Sequence, residues 1–504
     1  MGKPSRRPAR EARKARTEAQ KKLREQQRAA GLNARPTATI ANRKSQLRTP
    51  EEEQQARQEA AGSYFQILRS QLPLLLRRLS SIPDPRVPKK TRHKLTMVLI
   101  YGMLSFVFQM ASRREANRKM TMPTFQANLK LLIPDFEEIP HHDTLYRLLR
   151  RMDPGELESA HLELVERLIR KKKFCRYLID GHYPIAIDGT QKWMREWPFS
   201  DEALERRVGT GKQKKSQYYV YVLEACLAFA NGMVIPLMSE FLARSEGDGS
   251  TDTQDCEQKA FERLTARLKQ RFPRLRVLLL LDGLYPNGPM MALCRRRRWQ
   301  FMIVLQNSSL PSVWEEFEGL RQLQPENRRS QPWGNRRQHF VWVNEIEHTY
   351  GPNQRRRLTI HMVVCEEIWQ EVGPHGEILE HQSRHAWVSS EPLTRHNLHP
   401  RCNLAARHRW GIEANILVEK HQGYGYEHCF AYDFNAMKGY HYLMHLGHLF
   451  NILARHSQRL QEPMRTHGVR GFFEFLRETV AGPWLDAPAL RARFARPCQL
   501  RFIS

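Results

Sequence analysis

An unbroken apolar run, Val277 to Leu281 with the sequence VLLLL, places the strongest constraint on the fold of this chain. A strand that alternates apolar and polar residues keeps one solvated face, whereas a continuous apolar run suits a strand covered on both faces. The run closes on Asp282-Gly283, and segments with a helical pattern lie before and after it. The sequence therefore predicts an α/β fold in which helices flank a mixed sheet.

The spacing of apolar residues changes along the chain and divides it into regions. The spacing is helical from about Gln58 to Met152, changes to a strand pattern from about Arg176, and is helical again after Pro400. Two apolar segments, QYYVYVLEACLAFA and MVIPLMSEFL, flank Asn231-Gly232, a dipeptide that favours a tight hairpin turn. Residues 311–394 alternate in a way that predicts a β-rich module.

The chain is strongly basic, with 81 Lys and Arg against 53 Asp and Glu in 504 residues, which gives a net charge of +28. The first 50 residues alone carry 15 Lys and Arg against three Glu and predict a flexible, solvated arm, with a helix formed on DNA as the alternative. Such a charge favours a polyanionic partner, either nucleic acid or an anionic membrane surface. The eight cysteines form no C-x-x-C pair, which is typical of scattered thiols in a reducing compartment.

One stretch, Leu95 to Ala111, resembles a membrane span because it carries no charge over 17 residues. That length is the lower limit for crossing a bilayer, and basic clusters on both sides give no orientation. We therefore predict a buried helix and no membrane attachment. The first apolar cluster comes long after Met1, so we expect no secretory signal.

Two aspartates follow predicted strands. Asp188 comes directly after the apolar run YPIAI, and Asp282 follows VLLLL. Ligands of open α/β sheets bind beyond the carboxyl ends of strands, so the two carboxylates are expected at one edge if the strands are neighbours. Asp180, in a similar LIDG sequence, is a weaker candidate because a shorter apolar run precedes it and no Thr follows. Carboxylate oxygens are the ligands that Mg²⁺ prefers.

A third acid is expected from the predicted helix that begins near Arg401. At about 100° per residue, Arg409, Glu413 and Lys420 lie within about 40° of one another, whereas Glu419 lies at about 280°. One acid and two cations thus project from the same face, and Glu413 is a better candidate than Glu419. The alternative is an ordinary helix with charge pairs four residues apart.

With these three acids, the chain resembles the DDE transposases of bacterial insertion sequences, whose catalytic domain has a ribonuclease H-like fold. It is most similar to the branch with a Tyr-x₂-Arg-x₃-Glu-x₆-Lys signature, here represented by Ala406, Arg409, Glu413 and Lys420, so the Tyr is missing. Asp188-Gly189-Thr190 and Asp282-Gly283 resemble the first two acid positions of the family. A β-rich insertion before the third acid is also typical of that branch.

The resemblance implies two Mg²⁺ ions held by Asp188, Asp282 and Glu413, for which Mn²⁺ can substitute, and phosphate contacts from Arg409 and Lys420. It implies a homodimer on double-stranded DNA, with element ends and target DNA as partners, in a bacterial cytoplasm at the nucleoid. The predicted segments are a basic flexible arm (1–57), a helical DNA-binding domain (58–155), two parts of the catalytic core (156–310 and 395–460), the β-rich insertion (311–394) and a basic C-terminal region (461–504).

Other patterns favour a structural role over a functional one. His441, His445 and His448 share a helix face, but we find no acid near them in the sequence and predict packed or DNA-facing histidines. His141-His142 is expected at the surface. We expect the tryptophans of the insertion to pack in its core, with stacking on an extruded base as the alternative. For the basic run 295–298, a phosphate contact and a solvated helix end remain equal alternatives.

Two rival functions remain open. A Mg²⁺-dependent nuclease of the same fold would cut DNA without joining it, and the sequence does not separate it from a transposase. A DNA-binding relative without catalysis is the other alternative, against which the three acids argue.

Overall fold

The computed structural model describes residues 7–33, 45–110, 112–133, 136–210, 214–243 and 253–503. In that part of the chain, fourteen α-helices and ten β-strands occur, and the strands pair both parallel and antiparallel, so the α/β prediction is confirmed. Residues 1–6 and 34–44 of the predicted arm lie outside the described residues, as does Ala111 at the end of the apolar stretch.

The helices are Arg7–Ala29 (α1), Pro50–Ser80 (α2), Leu95–Val107 (α3), Arg113–Met120 (α4), Pro123–Leu132 (α5), His142–Leu149 (α6), Gly155–Arg170 (α7), Thr253–Arg271 (α8), Gly288–Arg296 (α9), Pro311–Leu323 (α10), Trp410–His421 (α11), Phe434–Arg455 (α12), Gln461–Ala481 (α13) and Ala487–Phe494 (α14). The strands are Tyr183–Arg195 (β1), Leu204–Val208 (β2), Lys215–Ala228 (β3), Val234–Leu242 (β4), Val277–Leu281 (β5), Gln300–Val304 (β6), Arg328–Trp333 (β7), Arg336–Tyr350 (β8), Arg356–Val372 (β9) and Ile378–Ser389 (β10).

The chain divides into two compact units. The first contains α1, residues 182–184 and residues 276–409. The second contains α2–α7, residues 185–275 and residues 410–503. Both units are therefore built from segments that are distant in sequence.

The first unit has a sheet in the order β5-β6-β10-β9-β8-β7. Strands β5 and β6 are parallel, and the pairs from β6 onward are antiparallel. All five residues of β5 are fully buried, as the VLLLL run predicts. The amide of Tyr183 donates to the carbonyl of Arg276 (2.8 Å), so the start of β1 lies beside the residue that leads into β5.

Two features of this unit differ from the sequence prediction. The arm contains a helix, α1, which packs against β9, with Leu23 and Gln27 buried and the Gln27 side chain bonded to the Gln370 carbonyl. The β-rich segment begins with a helix, α10, before its four strands. Helix α10 packs on β8 through Val313 and Phe317, an apolar pair at helical spacing that the strand pattern of the segment obscured.

The second unit has an antiparallel sheet in which β3 pairs with β1 on one side and with β2 and β4 on the other. The turn between β3 and β4 falls at the predicted dipeptide, where Gly232 has a φ of +80°. Helices α7, α8, α11 and α12 pack on this sheet. They cover both apolar and buried polar positions of β3 and β4.

Helices α2–α7, upstream of the sheet, pack in the same unit as α12 and α13. Helix α3, which holds most of the apolar stretch, lies against α12 and is buried, as predicted. The Tyr64 hydroxyl donates to the Asn451 side chain (2.6 Å), and Asn451 donates to the Val107 carbonyl (3.2 Å). Within the described residues, every helix falls short of the length and apolar content that a membrane span requires.

A buried histidine gives this unit a testable pH dependence. His161 on α7 donates from Nε2 to the Pro236 carbonyl (2.7 Å), and burial lowers its pKa to about 4. Because the unfolded chain binds this proton near pH 6.5, the stabilisation is complete above that pH and is lost as the pH falls towards 4. We expect His161→Gln to remove up to about 1.4 kcal/mol per pH unit from the slope of unfolding free energy against pH.

Opening free energies of the α7 amides, obtained from hydrogen exchange between pH 7 and pH 4.5 and corrected for the intrinsic exchange rate at each pH, measure this slope. His141→Gln, at an exposed position of the same unit, serves as the control. Equal slopes for the wild type and His161→Gln would contradict the assignment of a neutral buried imidazole.

Candidate active site

Asp188 lies within β1, and its side chain is half-buried. Its Oδ1 accepts a hydrogen bond from the amide of Gly189 (2.9 Å). The sequence predicts that the strand ends here, but β1 continues to Arg195 because residues 189–195 keep pairing with β3. Gly189 is required for this continuation, since a Cβ atom there would clash with the Tyr221 side chain.

Asp282 directly follows β5, as predicted, and is also half-buried. Its Oδ1 accepts from the amide of Leu284 (2.9 Å), which fixes the turn after the strand. A Cβ at Gly283 would lie 2.6 Å from the Gln306 side-chain nitrogen, so glycine allows Gln306 to pack against this turn. Asp282 belongs to the first unit, and Asp188 belongs to the second.

The segment predicted as one helix from Arg401 is instead three consecutive pieces. Residues 399–405 form a π-helix, residues 406–409 form a 3₁₀-helix, and α11 begins at Trp410. The phase of 100° per residue therefore does not relate Arg409 to Glu413, and the prediction of one continuous helix is wrong. Of the three residues, only Glu413 and Lys420 lie on the same α-helix, α11.

Glu413 lies in the first turn of α11 and is half-buried. Lys420 lies near the end of α11, and its Nζ forms an ion pair with Glu427 (2.9 Å). Arg409 is buried, at 4% exposure, in the first unit. Of the five predicted site residues, Asp188, Glu413 and Lys420 therefore lie in the second unit.

Asp188 is part of a polar row across the second unit's sheet that the sequence analysis missed. Asp188 pairs with Glu224 on β3, and Glu224 pairs with Ser239 on β4. Residues directly opposite in antiparallel strands have their side chains on one face of the sheet. The Ser239 hydroxyl donates to Glu224 Oε2 (2.7 Å), and the Tyr426 hydroxyl donates to Glu224 Oε1 (2.9 Å). An acid inside the apolar run of β3 was the only signal in the sequence.

Lys192 and His441 extend this row. Lys192 is the bulged residue of β1, where the register with β3 shifts, and a bulge re-aims side chains. Its Nζ donates to His441 Nδ1 (3.2 Å) and to the Tyr426 carbonyl (3.0 Å). Since the Ser239 proton goes to Glu224, His441 Nε2 donates to Ser239 Oγ (2.8 Å). Burial lowers the pKa of Lys192 to about 8 and lowers that of His441 well below its usual range.

Glu419 is fully buried between α11 and α12. Its Oε1 accepts from His448 Nδ1 (2.7 Å) and from the Asn415 side chain (3.1 Å), and lies 3.8 Å from His445 Nε2. Burial raises the pKa of this carboxyl, although the hydrogen bond from His448 opposes the rise. The sequence near the three histidines contains no acid, but the fold brings Glu224 and Glu419 to them, and their packing in the core is confirmed.

The first unit has a separate buried acid, Glu367 on β9. Its carboxylate accepts from Arg336 (2.8 Å), Arg407 (2.5 Å) and Gln338 (2.6 Å). Burial would raise the pKa of Glu367, but the Gln338 hydrogen bond and the charges of the two arginines hold it below its usual value. The Arg407 guanidinium also lies 4.6 Å from the centre of the Trp333 ring. This cluster joins β8 and β9 to the segment that leads into α11.

The remaining candidates have structural roles in the described residues. Of the four tryptophans expected in the core of the insertion, Trp342 and Trp387 are buried, whereas Trp333 and Trp369 are half-buried. His141 caps α6 by accepting from the amide of Asp143 (3.3 Å). Asp180 is exposed in a turn with a φ of +49°, outside any strand. Arg295 lies at the end of α9 and donates to the Thr359 carbonyl.

The donor chemistry at the three acids suits a hard divalent cation. Asp188, Asp282 and Glu413 offer carboxylate oxygens that are neither fully buried nor fully exposed. Hard cations bind such oxygens together with water or phosphate oxygens. By contrast, Glu419 is enclosed by His448 and Asn415 and offers no open position.

A comparison with protein families gives a match in the region before the second unit's sheet. Residues 76–165, from the end of α2 through most of α7, match the family model described as DDE_Tnp_1-associated. This match indicates a DDE-type transposase family and a DDE transposase-associated function. The matched segment lies upstream of β1 and contains none of the three acids. No curated protein matches the chain.

Proposed function

We propose that the protein is a transposase that binds the ends of its insertion sequence, cleaves them and joins the 3′-hydroxyl ends to target DNA. In this proposal, Asp188, Asp282 and Glu413 hold two Mg²⁺ ions, for which Mn²⁺ can substitute. The observation that carries the proposal is an acid on β1, a second directly after β5 and a third on α11, in a chain with the DDE-associated match.

The order of elements supports a ribonuclease H-like core. Strands β1, β3 and β4 are antiparallel neighbours, and α8, β5, α9 and β6 follow, with β5 and β6 parallel. Strands β7–β10 then form the insertion before the third acid. The branch with the four-residue signature is part of the proposal. Its Tyr position is Ala406, which is buried at 4% exposure and supplies no stacking surface.

The residues of the chain have distinct proposed roles in phosphoryl transfer. Asp188, Asp282 and Glu413 would hold the cations, which when bound would supply activation of a water or 3′-hydroxyl and stabilisation of charge at the phosphorus. The three carboxylates fix the cations, and their negative charge favours divalent over monovalent ions. Lys420 contacts a DNA phosphate as a point charge. The Arg409 side chain, at 4% exposure, is too deeply buried to make the phosphate contact expected from the sequence. Lys420 exchanges its ion pair with Glu427 for a phosphate.

The partners in this proposal are element ends and target DNA, bound by a homodimer at the bacterial nucleoid. Two alternatives keep the same DNA partner. A Mg²⁺-dependent nuclease would cut without joining, and an inactive relative would only bind.

A cleavage and joining assay tests the proposal. A labelled duplex with matched terminal repeats is incubated with the protein and target plasmid, with Mg²⁺ or with EDTA. We expect nicked ends and a joined donor–target product, both dependent on Mg²⁺. Cutting without any joined product favours the nuclease, and binding without cutting favours the inactive relative.

The basic surface of α1 is expected to contribute phosphate contacts without reading bases. Lys21, Lys22, Arg24 and Arg28 are exposed, whereas Leu23 is buried against the unit. Changing the four cations to Gln therefore keeps the packing of α1, which a deletion would destroy. We expect weaker binding to all DNA and a log–log salt slope reduced by about 0.9 for each lost phosphate contact.

Fluorescence anisotropy over a salt series, with terminal-repeat and random duplexes, measures both quantities. The preference for terminal-repeat DNA at fixed salt should persist. If that preference disappears while circular dichroism is unchanged, α1 reads sequence and the assignment is wrong.

A further inference from the structure

Helix α11 carries two acids with different surroundings. Its buried side chains Ile412, Ile416 and Glu419 follow each other at helical spacing and face the interior of the second unit. A Cβ at Gly411 would lie 3.0 Å from Val234 Cγ2, so the start of α11 approaches β4 closely. Glu413, one residue after Ile412, stays half-buried. Glu419 is therefore the only charged member of the inward face.

The polar contacts of Glu419 tie α11 to α12. His448, which donates to its carboxylate, lies in the middle of α12. His441, two turns earlier on α12, reaches the sheet through Ser239, whose hydroxyl donates to Glu224. Glu224 is the cross-strand neighbour of Asp188. Helix α12 thus links, through His448 and His441, the helix that carries Glu413 to the strand next to Asp188.

A metal ion is an alternative explanation of this cluster. Ligand atoms of Glu224, His441 and His445 lie within 4.8 Å of one another. However, both His441 nitrogens are engaged, one by Lys192 and one by Ser239, and both Glu224 oxygens accept hydrogen bonds. The buried Lys192 ammonium already supplies positive charge beside the two carboxylates. A second cation would meet repulsion and no open coordination position.

We propose that Glu419 is a positioning residue: with His448 it anchors α11 against α12 and thereby holds Glu413 in register with Asp188 for metal binding. The inference rests on the proposed function, because it assigns the two acids of the second unit a common cation. In this inference Glu419 acts through the position of α11 and does not contact the cation. Lys192 is the internal counter-ion that allows Glu224 and Glu419 to stay buried.

The physical reason is that α11 is short, and without Glu419 it is held in the interior mainly by two apolar side chains, Ile412 and Ile416. Helix α11 has 12 residues, and Gly411 adds no side-chain packing at its start. Truncating Glu419 leaves His448 and Asn415 without their shared acceptor and opens a cavity beneath the helix. Local opening of α11 then becomes more frequent, and Glu413 spends less time in the position that binds the cation.

Three variants of the full-length protein test this inference. Glu419→Ala removes the anchor, and Glu419→Gln keeps its shape and an acceptor for His448. Leu417→Ala changes an exposed side chain of the same helix and serves as the control. Hydrogen exchange of the α11 amides reports its opening, and the Mn²⁺ concentration that raises the Tm half-maximally reports cation binding without DNA.

For Glu419→Ala we expect α11 exchange at least about tenfold faster and a Mn²⁺ midpoint about tenfold higher, with unchanged affinity for DNA. Glu419→Gln should restore both values to within about threefold of wild type. Unchanged α11 exchange and Mn²⁺ midpoint in Glu419→Ala would overturn the inference. Glu413→Gln serves as the reference for loss of a ligand. If Glu419→Gln lost the Mn²⁺ response as completely as Glu413→Gln, Glu419 would itself be a ligand and the inference would be overturned.

Elemental analysis separates the remaining alternative. One transition-metal ion per purified chain, lost in His441→Gln, would overturn the metal-free network. A wild-type protein without any Mn²⁺ response would overturn the proposed function and the link to cation binding. The exchange data would in that case still decide whether Glu419 anchors α11, so the two failures are distinguishable.

Discussion

Replacing Asp188, Asp282 or Glu413 by alanine will lower DNA nicking and joining at least about 1,000-fold, while affinity for terminal-repeat DNA stays within about twofold. Each change removes a carboxylate ligand of the proposed cations, and a thousandfold loss corresponds to about 4 kcal/mol of transition-state stabilisation. None of the three is a cation that contacts phosphate, so binding should persist. Gel assays of nicking and joining in Mg²⁺, with anisotropy for binding, measure both effects.

Isosteric variants provide the matched control for this result. Asp188→Asn keeps the shape of the side chain and is expected to be as inactive as Asp188→Ala. Asp180→Asn alters the other Asp-Gly sequence, at an exposed turn position whose positive φ asparagine tolerates, and should keep full activity. A normal cleavage rate for Glu413→Ala in Mg²⁺ would rule out the two-metal account.

The main elements of the fold were predictable because their signals are local. The VLLLL run identified a fully buried strand, and Asn231-Gly232 identified the hairpin turn. The uncharged stretch that contains Leu95–Val107 is only just long enough for a bilayer and was therefore predicted as a buried helix, which the structure confirms. Each signal arises from residues that are close in sequence, where periodicity and turn chemistry dominate.

The predictions that differ from the structure concern long-range packing. Nothing within the sequence of α1 indicates that Leu23 and Gln27 are buried on β9, more than 300 residues away. The sequence 401–409 has ordinary helical composition, yet it forms π and 3₁₀ turns that bury Arg401 and Arg409. Burial of two arginines depends on partners that only the folded chain provides.

In the candidate site, too, local features were predictable from the sequence and features that depend on long-range packing were not. Asp282 was placed correctly because the strand before it has a clear end, whereas β1 continues past Asp188 through pairing with β3. The buried network of Glu224, Lys192 and Glu419 was missed because its members come from β3, β1 and α11. Only a bulge in β1 and the packing of two helices bring them together.

Truncating Glu367 is expected to have the largest effect on stability. The carboxylate is fully enclosed, and two guanidinium groups and Gln338 depend on it. Removing one partner of a buried ion pair costs about 3–5 kcal/mol, because the remaining charge keeps its desolvation penalty without compensation. Arg336 is partly exposed and regains some hydration, but Arg407 is confined beside Trp333. We therefore expect Glu367→Ala to cost about 3 kcal/mol.

Local hydrogen exchange is the suitable measurement, because a protein of two compact units need not unfold in one step. A loss of about 3 kcal/mol accelerates exchange of the β8 and β9 amides by about two orders of magnitude. Glu366→Ala, one residue away on the exposed face of β9, is the control and should change exchange less than about threefold.

The double variant Glu367→Ala/Arg407→Ala separates the charge effect from lost packing. If an uncompensated Arg407 causes the destabilisation, removing both partners costs less than the sum of the single changes, with a coupling of about 1–3 kcal/mol. Additive effects would mean that Glu367 stabilises the sheet by filling space and not by balancing charge. The cluster would then have no electrostatic part in holding β9 to the segment before α11.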